Sequence, residues 1–351
     1  MLVSVIVPCR NERDHILQTI RTIESQDGAG FDTEAIIADG MSTDGTQEMV
    51  KGYESRLVRL RLISNPGRIV STGLNAALRE ASGEIVLRMD AHTVYANDYI
   101  KQCVEVLNET RADCVGGPWV AKGTGAFARL SACAFQNWFC VGTRTGHNPG
   151  YEGPVDTVYL GCWRKQVFET IGLFDETLVR NQDDELNLRI RQRGGLVWQS
   201  SRIRSHYVPR NSWPALFRQY WQYGYWKVRI LRKHRRTGSW RHAVPALAVA
   251  AAAGLAVVVA LGTAAGSSAV VMLSGRTFGF LAAVYLAGAI LAAATAQVED
   301  GLSARFALPA IFVTYHVAYG CGYLHGIADW IFSKPTAGQS SKESFVSTLT
   351  R

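Results

Sequence analysis

Residues 243–275 contain no charged side chain. A water-facing surface cannot be built from such a run. It is either the interior of a large helical core or a segment that meets hydrocarbon. Apolar stretches at about 243–262, 277–297 and 306–332 each approach the ~20 residues an α-helix needs to cross a bilayer. Immediately upstream, Lys227–His242 together with Arg218 supplies eight Lys and Arg side chains and no acid, a large share of the net charge of +8. A nucleic-acid patch would interleave stacking aromatics with bases on a soluble domain. A solvated helix face would mix in acids. A basic cluster directly before an apolar span instead marks the cytoplasmic side of a membrane, and the apolar span follows at once.

The expected organisation is therefore a cytoplasmic domain over 1–212, amphipathic and basic interface helices over 213–242, about three transmembrane helices over 243–332 and a polar tail over 333–351. That describes a multi-pass protein of the inner (plasma) membrane and excludes nucleic acid as a partner. Three crossings would leave the C-terminus outside, although His316, His325 and Asp329 make the last stretch ambiguous. The opening "MLVSVIVP" meets charges too soon for a signal peptide and reads as a strand. Seven cysteines form no C-x-x-C pair, as expected of reduced thiols.

The first 240 residues alternate. "VSVIVP", "EAIIADG", "LRLISN" and "EIVLRMD" are β-branched or apolar runs. Between them, "ERDHILQTIRTIESQ", "TQEMVKGYESR" and "STGLNAALREAS" have helical spacing, the last with Gly83 as its expected C-cap. This β-α-β-α-β-α-β order predicts an α/β fold with a mostly parallel sheet, in which ligands bind at the carboxyl ends of strands. Further on, "ADCVGGPWV" and "LVWQSS" predict strands. "AFARLSACAFQNWFCVG", "ELNLRIRQRGG" and "WPALFRQYWQYGYWKVRILRKH" predict helices.

Asp39, Asp90 and the Pro8–Glu12 loop fall at predicted strand ends. Asp90 and His92 are two apart, so a continuing strand would point both to one side, where an oxygen and an imidazole suit Mn²⁺ or Mg²⁺ and, less specifically, Zn²⁺. A polar strand-to-loop turn would look the same. Asp39 could accept from a base N–H or ribose hydroxyls, while Asp44 or Thr46 caps the next helix. Arg10, Asn11 and Glu12 could line a nucleotide pocket or simply start a helix. Arg68 and the backbone N–H groups at Gly73 form an anion site in the same reading. Gln182, Asp183, Asp184 and Glu185 cluster before a helix, as its dipole favours; the alternative is a general base for a hydroxyl nucleophile. "GTGAFA" (Gly123–Ala128) matches a dinucleotide fingerprint, but no acid follows until Glu152, so it reads as a loop entering a helix.

In order, "VSVIVPCRNE", "ADGMSTDGT", "DAHT" and "QDDELNLRIRQRGG" resemble a family 2 glycosyltransferase of GT-A fold over roughly residues 1–230. "EGPVDTVYLG" with "RNQDDELNLR" is similar to a narrower group, the bacterial succinoglycan-biosynthesis glucosyltransferases. The resemblance implies a metal-dependent (Mn²⁺ or Mg²⁺) inverting transfer, from a UDP-sugar such as UDP-glucose, to a polyprenyl-diphosphate-linked saccharide in exopolysaccharide synthesis. It puts Asp39 at the uracil, Pro8–Glu12 beside the nucleotide, and Asp90 and His92 at the family's D-x-D position, with His206 a further metal or phosphate contact and Arg204 and Arg210 near the diphosphate. Asp183 aligns with the base of the family's E-D motif. Gln182 replaces the usual Glu there, Asp184 is the alternative base, and Arg189 supports the site. Asp156, Gln182, Gln222 and Trp226 are further candidates, on the acceptor side or elsewhere in the site. In "QYGYW", Tyr225 stands where processive synthases carry Arg, which speaks against processivity, and Trp226 either stacks on a sugar or packs in the core. The rival readings are a polyprenyl-phosphate sugar transferase, a processive synthase and a catalytically silent membrane scaffold.

Overall fold

A computed structural model describes residues 1–26, 30–57, 59–142, 145–234, 240–298 and 305–332. The expected polar tail at 333–351 and positions 235–239 of the basic run lie outside these. The chain divides into two compact units, Met1–Ala121 with Arg144–Val208, and Lys122–Thr143 with Pro209–Arg351.

The first unit opens with β1 (Leu2–Cys9), α1 (Ile16–Glu24), β2 (Asp32–Asp39), α2 (Thr46–Lys51), β3 (Arg59–Ser64), α3 (Val70–Glu80) and β4 (Ile85–Arg88). It continues with β5 (Thr93–Tyr95), α4 (Tyr99–Thr110), β6 (Cys114–Gly117) and β7 (Val120–Ala121). Two helices of the second unit follow, α5 (Ala126–Gln136) and α6 (Trp138–Val141). The chain then forms β8 (Gly153–Pro154), β9 (Tyr159–Arg164), α7 (Val167–Ile171), α8 (Gln182–Gln192), β10 (Val197–Gln199) and β11 (Ser205–Tyr207).

An eight-stranded sheet runs β3-β2-β1-β4-β9-β6-β10-β8, and a small sheet runs β5-β11-β7. The first four strands are parallel, as the alternation predicts, and β9 is inserted antiparallel between β4 and β6. The sheet is buried on both faces, which is why its strands are near-continuous apolar runs. Val3, Val5 and Val7 of β1 face one core with Ile16, Ile20 and Ile23 of α1; Ile6 faces the other with Leu74 and Leu78 of α3 and Ile190 of α8. Burial of each such side chain is worth about 1.5–3 kcal/mol.

Two local expectations change. The second helix stops at Lys51, where Gly52 follows. Gly83 is no C-cap: α3 ends at Glu80, and a side chain at Gly83 would collide with the Leu2 carbonyl and Ser4 of β1. Its role is close backbone approach.

The second unit is helical. Besides α5 and α6 it contains α9 (Trp213–His234), α10 (Val244–Ala264), α11 (Ser268–Thr295) and α12 (Leu308–Phe332). On α9 and α12, Gly224 abuts the Tyr319 backbone and Gly322 abuts the Trp221 backbone, so neither position admits a side chain. This small-residue contact lets the two helices approach closely. Tyr225 Oη donates to Asp329 Oδ2 (2.5 Å), and Arg229 Nη2 donates to Tyr225 Oη (2.7 Å). Outward-facing Leu247, Leu261, Leu273 and Phe280 make most of the α10 and α11 surface apolar, with Arg276 an exposed charge on α11. Trp240–Ala264 and Ser268–Thr295 are long and apolar enough to cross a membrane. This gives two such helices among the described residues where three were expected. The third segment is a helix of similar length, but His316, His325 and Asp329 lower its apolar character.

Candidate active site

The parallel register brings the carboxyl ends of β1, β2 and β4 side by side, pairing Cys9 with Asp39 and Ile6 with Arg88. Two loops emerging there are laced together. Asn11, in the left-handed region (φ 56°) that its short amide tolerates, accepts from Thr43 N (2.9 Å), and its own N–H donates to Ser42 Oγ (2.7 Å). Glu12 N donates to Thr46 Oγ1 (2.8 Å) and Arg13 N to Asp44 Oδ2 (3.0 Å). Burial pushes the Asp44 carboxyl up, but hydrogen bonds from Thr46 and Arg13 outweigh it and hold the group below its ordinary value. Asp44 accepts the Thr46 N–H of the first turn of α2, as a cap does.

Asp39 is only 1% exposed, and its oxygens accept from Ser42 N (3.0 Å), Ser42 Oγ (2.5 Å) and Gln47 Nε2 (2.7 Å). It organises the loop from inside. Pro8 and Glu12 also sit at this end of β1. Arg68 is exposed on the turn before α3. Gly73 corrects an expectation. Helix α3 begins at Val70, so the Gly73 N–H is spent on Ile69 O (3.2 Å), and a side chain there would crowd Asn65 and Pro8. Gly73 is a packing glycine and offers no anion a free N–H.

Beyond β4 the expected geometry also changes. The strand stops at Arg88, and residues 91–92 turn before β5. Asp90 and His92 therefore do not sit as alternate residues of one strand. Tyr95 Oη accepts the Asp90 N–H (2.5 Å) and donates to its carbonyl (3.0 Å), fixing the turn. Asp90 faces back to Arg88, whose Nε and Nη2 fork onto its two oxygens at 2.8 and 2.9 Å. Arg88 Nη1 lies 3.2 Å from Asp183 Oδ2. The guanidinium is 5% exposed, so a cation buried at the end of a strand is neutralised by carboxylates from two different elements. Sequence reading missed this residue. Its signal was a charge inside an otherwise apolar strand, two positions before an acid.

Asp183 is the second residue of α8, where the helix N-terminus favours a carboxylate. Burial pushes its pKa up, Arg88 pulls it down, and Asp184 and Asp90 push it up again; the result lies above the ordinary value. Its side chain remains 27% exposed, so it can meet a solute. Glu185 is wholly buried, its carboxylate gripped by Arg189 at 2.9–3.1 Å, and Arg189 also donates to the carbonyls of Ile171 (2.6 Å) and Leu173 (2.7 Å). Arg189 thus braces α8, the helix that carries Asp183. Gln182 is buried at the start of this helix and Asp184 is half-buried beside Asp183.

His92 Nδ1 is 3.7 Å from Glu12 Oε1 and has no hydrogen bond there although it is buried. His206 pairs with Val94 across the small sheet, so strand alternation puts it on the face that Val94 presents. Among the described residues no three His, Cys, Asp or Glu side chains are gathered to hold a metal. The donor chemistry still fits a divalent ion. Asp90 keeps lone pairs beyond the two facing Arg88, His92 adds a nitrogen, and Mg²⁺-like ions bound with a diphosphate take few protein ligands.

Three further residues are expected on the acceptor side or elsewhere in the site. Asp156 is 83% exposed and ion-paired to Arg191 at 2.5 Å. Gln222 and Trp226 are buried within the helical unit, Trp226 edge-on to Tyr225 at 5.4 Å. Trp226 is therefore a packing residue, because burial leaves it no face for a sugar.

Residues 4–172 match the model of glycosyl transferase family 2. The chain is 32% identical over 249 residues to the succinoglycan biosynthesis protein ExoA of Rhizobium meliloti, covering 70% of this chain and 74% of that protein. The chain belongs to glycosyltransferase family 2 and takes part in that family's chemistry, glycosyl transfer in polysaccharide and glycan synthesis. It is also similar, at 25% identity over 66% of its length and 74% of the relative, to the dolichyl N-acetyl-α-D-glucosaminyl phosphate 3-β-D-2,3-diacetamido-2,3-dideoxy-β-D-glucuronosyltransferase of Methanococcus voltae. The structure resembles the mannosyltransferase PcManGT of Pyrobaculum calidifontis, solved with GDP-Man and Mn²⁺ (TM-score 0.61, 20% identity, 93% of this chain and 87% of that one). The fold is GT-A.

Proposed function

We propose that the protein is a membrane-anchored, inverting glycosyltransferase that moves a sugar, glucose in the first instance, from a UDP-sugar to a polyprenyl-diphosphate-linked saccharide. The observation that carries this reading is the placing of Asp183, solvent-reachable and above its ordinary pKa, opposite Asp90 across one buried guanidinium.

Asp183 takes the proton of an acceptor hydroxyl. The freed oxygen pair forms the new bond to the anomeric carbon as the bond from that carbon to the diphosphate oxygen breaks on the opposite face, so configuration inverts and nucleoside diphosphate leaves. Asp184 is the alternative base. Pro8, Arg10, Asn11 and Glu12, on the loop organised by Asp39, border the nucleotide, and Arg68 lies on the same rim. Asp90 and His92 would hold a divalent ion, which when bound neutralises charge on the departing diphosphate, and His206, which is not gathered with them as a third ligand, is left as a phosphate contact. The Mn²⁺ of the Pyrobaculum mannosyltransferase supports that cofactor. The lipid named for the Methanococcus relative's substrate supports a lipid-linked acceptor. Two helices with apolar side chains facing outward support anchoring, since a polyprenyl-linked acceptor stays in the bilayer. Tyr225, tied to Asp329, leaves no arginine for the motif of processive synthases.

The test is a donor screen with membranes holding the full chain and a defined polyprenyl-diphosphate saccharide, with and without Mn²⁺ or Mg²⁺, using UDP- and GDP-sugars. Metal-dependent transfer from a UDP-sugar to the saccharide is expected. Transfer to polyprenyl phosphate alone would move the reading to the lipid-phosphate transferases, and long polymer would move it to the synthases.

A further inference from the structure

We propose that Arg88 is the positioning residue of this active site, one guanidinium that sets the distance between the diphosphate-side carboxylate Asp90 and the base Asp183. The inference rests on the reading above and adds a residue to it. Arg88 ends β4, with β1 on one side of that strand and β9 on the other, so its backbone cannot shift without disturbing the centre of the sheet. Its side chain is 6% exposed, too enclosed to be a surface charge. Nε and Nη2 are committed to Asp90 in a planar fork, and the third nitrogen faces Asp183 at 3.2 Å without a hydrogen bond of ordinary geometry. Only a five-donor planar group can hold two acids in this way. Lysine, a single ammonium on a flexible stem, can satisfy one of them at a time.

The two acids come from distant parts of the chain. Asp90 follows the fourth parallel strand and Asp183 starts α8. Without a cation between them, like charges would push α8 and the β4–β5 turn apart. With it, the gap between donor-side and acceptor-side groups is fixed before substrate arrives, which is the preorganisation that transfer between two bound substrates needs. Arg88 touches neither reacting atom in this scheme and acts through the two carboxylates.

Full-length Arg88→Lys and Arg88→Ala are compared with wild type and Asp183→Asn in detergent or native membranes, measuring kcat and the donor and acceptor KM separately. Arg88→Lys should lower kcat about 100-fold, the scale of a 1 Å misplacement, and raise the donor KM, with the acceptor KM unchanged. A role confined to folding would lower the active fraction and leave the donor KM alone. Millimolar guanidinium should restore part of the Arg88→Ala activity and none of the Asp183→Asn activity. In the Asp183→Asn background, adding Arg88→Lys should cost less than about 3-fold, because coupled residues are non-additive. Wild-type kcat and donor KM in Arg88→Lys, or full additivity in the double variant, would overturn the proposal. Full activity in Asp183→Asn alone would instead overturn the assignment of the base, so the two failures are separable.

Discussion

The two units place polar groups by opposite rules. In the α/β unit, buried charges meet buried countercharges at the carboxyl edge of the sheet: Arg88 with Asp90 and Asp183, and Glu185 with Arg189. At the opposite, amino end of the strands, buried Glu34 takes hydrogen bonds from Ser4 (2.6 Å) and Ser82 N (2.6 Å). In the helical unit many large apolar side chains of α10 and α11 point outward, and polar groups pair between helices: Tyr225 with Asp329, His316 Nδ1 with Tyr285 Oη (2.8 Å), and Asn137 Nδ2 with Ala292 O (3.2 Å). The first arrangement gathers the groups proposed above to carry out the transfer. The second is what the proposed membrane anchor requires, since hydrocarbon offers polar groups no water to pair with. The difference teaches that mutations in one unit should be read out as rate, and in the other as assembly.

The largest expected effect is Asp183→Asn, which should lower kcat about 10³-fold, within the usual contribution of a general base, while leaving thermal stability unchanged or raised. The sign follows from the pKa direction. A carboxyl whose folded pKa lies above its ordinary value adds stability below that ordinary value, and the contribution is lost as pH rises through the folded pKa. The same direction predicts that the acid limb of the kcat–pH profile sits above the ordinary aspartate range of about 3.9 and disappears with Asp183→Asn. A limb at the ordinary value would mean that Arg88 outweighs burial.

Glu185→Gln comes next. It leaves Arg189 with its carbonyl partners only, and breaking a buried pair typically costs about 3–5 kcal/mol; because Arg189 is 18% exposed, the lower end is expected by denaturation, with donor KM unchanged in the folded fraction. Gly322→Leu should act within the helical unit. It forces α12 off α9 at a cost of about 1–3 kcal/mol, which should appear as weaker extraction of folded protein in mild detergent while nucleotide binding persists. If nucleotide binding fell with it, the units would not be independent in this sense. Asp44→Ala should cost about 1 kcal/mol by loss of its cap-like bonds, with no more than a few-fold change in rate.

Much of the α/β unit was legible because parallel strands buried on both faces announce themselves as apolar runs between helices. Strand β9 was not: it carries positive φ at Leu160 (66°) and Gly161 (122°), and it pairs antiparallel with partners far away in sequence. Asp183 was visible as one of three acids opening a helix. Arg88 gained meaning only when β4 and α8 were brought together, which no local pattern reports. Gly73 and Gly83 were misread for the same reason. Each was taken as a feature of its own helix, when Gly73 is shaped by Asn65 and Pro8 and Gly83 by the backbone of β1. Trp226 was undecidable between stacking and packing until burial decided it.

The most direct test is the stereochemistry of the product. Wild-type protein with its donor and lipid-linked acceptor should form a glycosidic bond whose anomeric configuration, read by NMR, is opposite to that of the donor, and Asp183→Asn should form almost none. Retained configuration, or an undiminished yield from Asp183→Asn, would contradict a single displacement driven from Asp183.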